Sequence, residues 1–341
     1  MDANNTGTDS TGNERYGLGY AYSNLTGHDD ELSVKKIYGQ GFDGWAGAYV
    51  VPIYDNRTRI GFSYQFVTTD VGGDFSNLNA KGEAHSSQIF LMKEIYQNKD
   101  VDVDGQVGFS YKRMKNESLG VTSGVDDLSI FNFDVNVDFR DKYGRTFINQ
   151  GLDVGISNFL GSNVEGDTTM NRLNAEASFV KPRGSYDRYH RIDLINGALL
   201  HIKGKYQYTE DNLPSAEQFS LGGFSSVRGY SESEYSGDIG GLASAEVFLP
   251  MSFLPDLKIP GKTKSLKDVF QLVGFFDWGY ANINNPLVGE EQDKVFHSIG
   301  CGLRIHLFDK FYGRLEWGFQ QGDEGITGDS AFHFMIQTEL M

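Results

Sequence analysis

From Phe131 to Phe139 every odd position is apolar and every even one polar: Phe131, Phe133, Val135, Val137 and Phe139 against Asn132, Asp134, Asn136 and Asp138. A two-residue period is the signature of an extended strand with two unlike faces. Leu200 to Tyr208 repeats it, with Leu200, Ile202, Tyr206 and Tyr208 set against His201, Lys203, Lys205 and Gln207. Ile299, Cys301, Leu303, Ile305 and Leu307 alternate with Ser298, Gly300, Gly302, Arg304 and His306, and Leu315, Trp317 and Phe319 with Arg314, Glu316, Gly318 and Gln320. A Lys or Arg facing the middle of a bilayer costs about 2–4 kcal/mol, so where the apolar face meets lipid the polar face must line a lumen.

Carried along the whole chain, the period predicts about fifteen strands, near 15–24, 30–39, 43–53, 58–68, 81–95, 101–114, 127–140, 145–159, 170–181, 190–208, 241–250, 269–283, 294–307, 311–321 and 331–341. Short connections such as 54–57, 97–100, 141–144 and 308–310 take turns with longer ones at 69–80, 116–126, 160–169 and 209–240. Short turns on one side of the membrane and long loops on the other are the asymmetry of a transmembrane barrel. Two connections depart from it: 40–42 is short on the long-loop side, and 251–267 is long on the short-turn side. The predicted fold is therefore all-β, a transmembrane antiparallel β-barrel. With fifteen strands the first and last would meet in parallel, whereas single-chain bacterial barrels have even strand numbers. The expectation is thus a 16-stranded parent barrel whose first strand lies before Met1. Residues 1–14 would then be an extracellular loop remnant and 15–341 the barrel domain, with 209–240 folded into its lumen.

Composition agrees. The 341 residues include 42 Gly, 7 Pro and 13% aromatics, and no apolar run approaches 18 residues, which excludes a transmembrane helix. Mean hydropathy is −0.39, as expected if lipid-facing residues alternate with polar ones. A soluble β-sandwich is the competing reading, but it rarely repeats long one-sided aromatic strands along its whole length. Thirty Lys and Arg against 46 Asp and Glu give a net charge of −16, leaving no basic footprint for nucleic acid. Acids such as Asp29, Asp30, Glu31, Glu210 and Asp211 read as a solvated loop surface. Cys301 is the only cysteine, so no intramolecular disulfide forms. Met1 is followed by a polar run to Glu14 with no leader, so an exported barrel would need a segment upstream.

Candidate chemistry concentrates in two short motifs. Leu221-Gly222-Gly223-Phe224-Ser225-Ser226-Val227-Arg228-Gly229-Tyr230 lies in the longest predicted loop, and Phe275-Phe276-Asp277-Trp278-Gly279 lies on a later strand. Gly222, Gly223 and Gly229 permit the positive-φ turns of a loop that doubles back. Arg228 offers a rigid fork of donors, and Asp277, inward by its alternation with Phe276 and Trp278, offers two acceptors. Glu246 on the preceding strand is a weaker third partner. In a hydrated lumen such a pair is worth roughly 0–1 kcal/mol, whereas breaking a desolvated one costs about 3–5 kcal/mol.

The two motifs together resemble those of the two-partner secretion transporters, the haemolysin secretion/activation family of bacterial outer-membrane barrels. There a Val-Arg-Gly-Tyr loop (here Val227, Arg228, Gly229, Tyr230) enters the lumen and meets a Phe-x-Asp-x-Gly strand (here Phe275, Asp277, Gly279). The Asn/Gly-rich opening Asp2 to Gly12 is similar to the family's loop after its first barrel strand. The resemblance implies a pore in contact with outer-membrane lipid that exports an exoprotein passenger, driven by the passenger's folding outside. It also implies upstream periplasmic domains, absent from this chain, that recognise the passenger. Family barrels usually end in an aromatic residue, whereas this chain ends Thr338-Glu339-Leu340-Met341 behind an apolar face of Phe332, Phe334, Ile336 and Leu340. No phosphate-binding loop is present, so no nucleotide or other cofactor is expected. An outer-membrane protein assembly barrel and a passive porin are the alternatives. Among enzymes only a barrel lipase assembling Ser and His from separate strands is conceivable, because no nucleophile motif occurs. His201, His306 and His333 face the lumen without metal-ligand spacing.

Overall fold

The alternation turns into register. In the computed structural model, which describes residues 1–195, 197–251, 266–307, 310–322 and 330–339, the strands are β1 Asp2–Asn4, β2 Arg15–Ser23, β3 Glu31–Gly39, β4 Phe42–Pro52, β5 Thr58–Asp70, β6 Lys81–Gln97, β7 Val101–Ser118, β8 Val121–Asp141, β9 Gly144–Ile156, β10 Phe179–Ile192, β11 Ala198–Gln207, β12 Phe219–Leu221, β13 Tyr235–Gly237, β14 Ile239–Pro250, β15 Phe270–Asn282, β16 Asp293–Leu307, β17 Phe311–Gln320 and β18 Ser330–Thr338. All but β12 and β13 form one closed antiparallel barrel of 16 strands. Sequence neighbours pair around the wall, β11 pairs with β14 across the segment between them, and β12 and β13 form a separate ribbon within that segment. Closure makes every strand an inner one and so removes the exposed edges that invite aggregation.

Phe133, Val135, Phe276, Trp278, Ile299, Trp317 and Phe319 lie on the outer, exposed face, and so does Cys301. Their neighbours Asn132, Asp277, Ser298 and Glu316 are buried on the inner face. The burial of polar residues rather than apolar ones is the inverse of a water-soluble barrel. It requires partners inside, because an unpaired buried polar group costs several kcal/mol in an apolar medium, of order 2–7.

Several sequence expectations need correction. Residues 2–4, read as loop, form β1, which pairs antiparallel with β2 (Asp2 opposite Gly17) and with β18 (Asp2 opposite Gln337). This segment stands between β2 and β18, where the sequence offers no strand, and is too short for a two-residue period to register; residues 5–14 remain a loop. The strands expected at 170–181 and 190–208 are instead β10 and β11. Residues 182–185, left between those two expected strands, run as strand, and Arg183 reaches Asp153 on the lumen face with its Nε at 2.8 Å. Residues 157–178 are loop, held to the wall where the Asn171 amide donates to Asp126 Oδ1 at 2.9 Å.

The loop expected at 116–126 is mostly strand. β7 and β8 continue to a tight turn at Leu119 (φ 54°) and Gly120 (φ 76°), with a register shift at Asn116 and Glu117. Asp30, expected to be solvated, is buried and accepts from the Thr26 amide and hydroxyl, both at 2.9 Å. The short link at 40–42 gains a reason: the Gly41 amide donates to Thr11 O at 2.9 Å and its carbonyl accepts from the Asp70 amide at 3.0 Å, tying it to the loop 5–14 and to the end of β5. The connection 251–267, the turn 308–310 and the terminal Leu340 and Met341 lie largely or wholly outside the described residues.

Candidate functional site

Residues 208–238, between β11 and β14, run inside the barrel and touch its wall at β7 and β10 and again at β14, β15 and β17. Their limbs are joined by the β12–β13 ribbon, and the tip carries the Gly-Gly and Val-Arg-Gly-Tyr sequence. Gly222 and Gly223 both adopt φ 96°; a β-carbon on Gly223 would lie 2.2 Å from the Glu232 carboxylate. Beneath the tip, Leu221, Val227 and Tyr230 pack with Leu242, Ala281 and Phe296 of the wall. Tyr230 stacks on Phe296 with ring centroids 4.2 Å apart and planes 8° from parallel, and its hydroxyl donates to the His297 carbonyl at 3.2 Å. Gly279 is the slot that admits this cluster, for a β-carbon there would stand 2.7 Å from Leu221 and 2.8 Å from Val227.

Arg228 is wholly buried. Its Nε and Nη2 donate to the two oxygens of Asp277, each at 2.7 Å, and its own amide donates to Asp277 Oδ2 at 3.1 Å. Nη1 donates to Glu246 at 2.5 Å and to Glu316 at 3.2 Å, and Nη2 to Ser244 Oγ at 3.3 Å. The guanidinium carbon sits 3.5 Å from the Phe275 ring centroid, a cation–π contact. Ser244 in turn donates to Asp277 Oδ1 at 2.5 Å. Every acceptor around the fork is therefore engaged, the condition under which a buried charge is tolerated.

The cluster extends along the wall. Glu316 also takes Arg304 and, at 2.6 Å, Arg314, while Glu246 takes His201 at 3.2 Å. His201, stacked on Tyr189 at 4.1 Å, reaches Asp187 at 3.1 Å. His333 accepts from the Gly229 amide at 3.2 Å, and the Gln320 side chain donates to the Gly229 carbonyl at 2.8 Å. These histidines serve as polar wall groups, and among the described residues no set of three or more His, Cys, Asp or Glu is placed to hold a metal. His306 lies 5.0 Å from the Tyr312 ring.

Of the residues singled out in the sequence, Arg228, Asp277, Glu246 and Phe275 meet directly, Val227 and Gly279 pack beside them, and Gly222, Gly223, Gly229 and Tyr230 shape the tip. Sequence reasoning missed Glu316, Ser244 and Gly318. Glu316 is inward by its alternation with Leu315 and Trp317, but nothing local pairs it with a residue 88 positions away.

The ascending limb has its own polar contact. Glu217 is buried and accepts from Lys112 Nζ at 2.5 Å and Lys181 Nζ at 2.6 Å, while Gln207 Nε2 donates to its carbonyl at 2.9 Å. Burial raises the carboxyl's pKa, but the two ammonium groups beside it hold it below the ordinary glutamate value. A polar cavity of about 420 Å³ adjoins it, lined by Ser63, Gln65, Gln88 and Asn132 among others. At the descending root, Asp238 is fully buried and takes both terminal nitrogens of Arg172, at 2.6 and 3.0 Å. The amides of Leu213 (3.0 Å) and Asn284 (2.7 Å) and the Gln218 side chain (3.3 Å) also donate to it. Elsewhere at the loop tip, burial pushes the Glu232 carboxyl up to about 7, even though the Phe224 amide donates to it at 2.6 Å.

A family model described as haemolysin secretion/activation protein ShlB/FhaC/HecB matches residues 1–305. A heme/hemopexin transporter protein, HuxB, from Haemophilus influenzae is 23% identical over 324 residues, covering 89% of this chain and 53% of that protein. The chain thus spans about half the length of the curated relatives it matches. Among solved structures it is similar to CdiB from Escherichia coli, with a TM-score of 0.81 and 17% identity over 99% of this chain and 61% of that one. BamA from Haemophilus ducreyi lacking POTRA domains 1–3 gives a TM-score of 0.67 and 13% identity over 99% of this chain and 69% of that one.

Proposed function

The chain belongs to the haemolysin secretion/activation protein family of the bacterial outer membrane, and on that premise we propose that its barrel is the translocation pore of a two-partner secretion system. In this reading an exoprotein passenger crosses the lumen unfolded, and loop 208–238 fills that lumen at rest. The observation that carries the proposal is the complete burial of Arg228 among Asp277, Glu246 and Glu316. The backbone ladder already closes the barrel, so this cluster is not needed to hold the wall together. Its geometry instead fixes where the loop stands.

A passive porin conducts through an open lumen and has no use for a buried arginine on a reentrant loop. The assembly-barrel alternative shares the fold, as the BamA similarity illustrates, but no residue described above favours it. Passenger recognition is assigned to segments of a full-length protein outside this barrel, and the passenger's folding outside the cell supplies the driving force. The barrel's part is transport and not catalysis.

The test is export. In a strain carrying the full-length transporter and its passenger, Arg228→Ala should leave a folded, heat-modifiable barrel at normal abundance while secretion falls. Normal export by that variant would refute the loop's role.

A further inference from the structure

The Arg228 cluster holds the tip of the inserted loop, and a second ionic contact of opposite polarity holds its ascending limb. On the arc formed by β14, β15 and β17, wall carboxylates surround a loop cation. On the arc formed by β7 and β10, wall cations surround a loop carboxylate, Glu217. Its side chain is 3% exposed, that of Lys181 6% and that of Lys112 31%. Lys181 is poised between Glu217 and Asp153, the latter at 3.6 Å, and Arg183 satisfies Asp153 in turn. Among the described residues the two clusters share no ion-pair partner. They lie 11 residues apart on the loop, Glu217 on the ascending limb and Arg228 at the tip beyond the β12–β13 ribbon, so that each can let go while the other holds.

We propose that Glu217 is a second, independent anchor of the lumen loop, a positioning residue whose release from Lys112 and Lys181 is required, together with that of Arg228, before the loop leaves the pore. The proposal rests on reading the loop as a plug and adds the residues that time its release. A buried ion pair is weak evidence of net stability, because desolvation offsets the attraction, yet it is costly to leave one partner alone. Such a pair therefore fixes position. Glu217 also forms part of the boundary of the 420 Å³ polar cavity, so its departure enlarges that space. With two anchors of opposite sign, loss of either leaves the loop tethered at the other, and prolonged opening needs both to be lost. At the loop's root the buried Asp238 is held by Arg172 and by the Asn284 amide, whichever anchor is released.

Single-channel recording of the full-length protein in planar bilayers tests this, with heat-modifiability as the folding control. Deletion of residues 210–237 should give long-lived open channels. Arg228→Ala and Glu217→Lys should each give brief openings, raising open probability about tenfold, within the usual range for coupled sites, and the double variant should approach the deletion. Adding Lys112→Glu to Glu217→Lys restores a pair of reversed sign and should return the channel to its closed baseline. A merely structural glutamate would not show that rescue. If the deletion opens the channel but Glu217→Lys stays closed, or if Lys112→Glu does not restore closure, the second anchor is refuted and the plug survives. If the deletion itself stays closed, the plug reading falls and this inference with it.

Discussion

Gly229 and Gly318 meet backbone to backbone: a β-carbon on Gly318 would lie 2.5 Å from the amide nitrogen of Gly229, and one on Gly229 would lie 3.0 Å from the carbonyl carbon of Gly318. Gly229 also adopts φ 101°, a conformation that disfavours any other residue. The loop is thereby seated in a notch of the wall, and its position depends on β17 as much as on Arg228. Gly318→Ala should lift the tip from β17 at a cost of about 1–3 kcal/mol, the usual penalty of overpacking. Limited proteolysis of the intact barrel would show faster cleavage within 222–232, with the heat-modifiable barrel unchanged.

Three carboxylates share the Arg228 guanidinium, so they are partly redundant. Asp277→Asn keeps the shape but removes the charge of one, and Glu246 and Glu316 still neutralise the fork. Its effect on loop docking should be about 1–3 kcal/mol, against about 3–5 kcal/mol for Arg228→Ala, which removes the one ion-pair partner Asp277 has among the described residues while Glu316 keeps Arg304 and Arg314 and Glu246 keeps His201. Opening frequency in planar bilayers orders the variants: wild type lowest, Asp277→Asn intermediate, Arg228→Ala highest.

Glu232 gives the loop a pH dependence. With its carboxyl held near 7 in the docked loop and near the ordinary 4.5 once solvated, docking binds a proton. The docked state is therefore fully favoured below about pH 4.5 and loses that advantage as pH rises through 7. Wild-type channels should open more often as pH is raised across this window, and Glu232→Gln should flatten the response. A pH profile of open probability checks both.

Phe296 contributes a packing surface to the loop tip. Phe296→Ala removes the partner of the stacked Tyr230 ring and opens a cavity beneath Leu221 and Val227. Large-to-small core substitutions of this kind cost about 3–5 kcal/mol. Most of that should appear as weakened docking, read by hydrogen exchange at the amides of 221–230, while the β15–β16 ladder stays protected.

The wall was legible in the sequence wherever a strand crosses lipid, because Phe133, Trp317 and their kind must alternate with polar residues there. Arg228 and Asp277 stand out because each lies within a short motif. The rest was hidden for physical reasons. β1 is three residues long, too short to show a period. The β7–β8 turn at Leu119 and Gly120 lies beyond the stretch that needs an apolar face, so Val121 to Asp126 carries no outward pattern and reads as loop. Glu217, Glu316 and Gly318 derive their importance from positions across the lumen, a relationship that closure creates and local sequence does not encode.

The wall is also uneven in height. β8 runs for 21 residues, whereas β3 runs for nine. At roughly 3.3 Å per residue the longer strand far exceeds a hydrocarbon layer of about 30 Å even when tilted. The β7–β8 hairpin stands at the same end as loop 208–238, and it is buttressed by Asn171 and Asn163 of the neighbouring loop. The barrel wall is therefore longest along the flank that carries this neighbouring loop and short along β3.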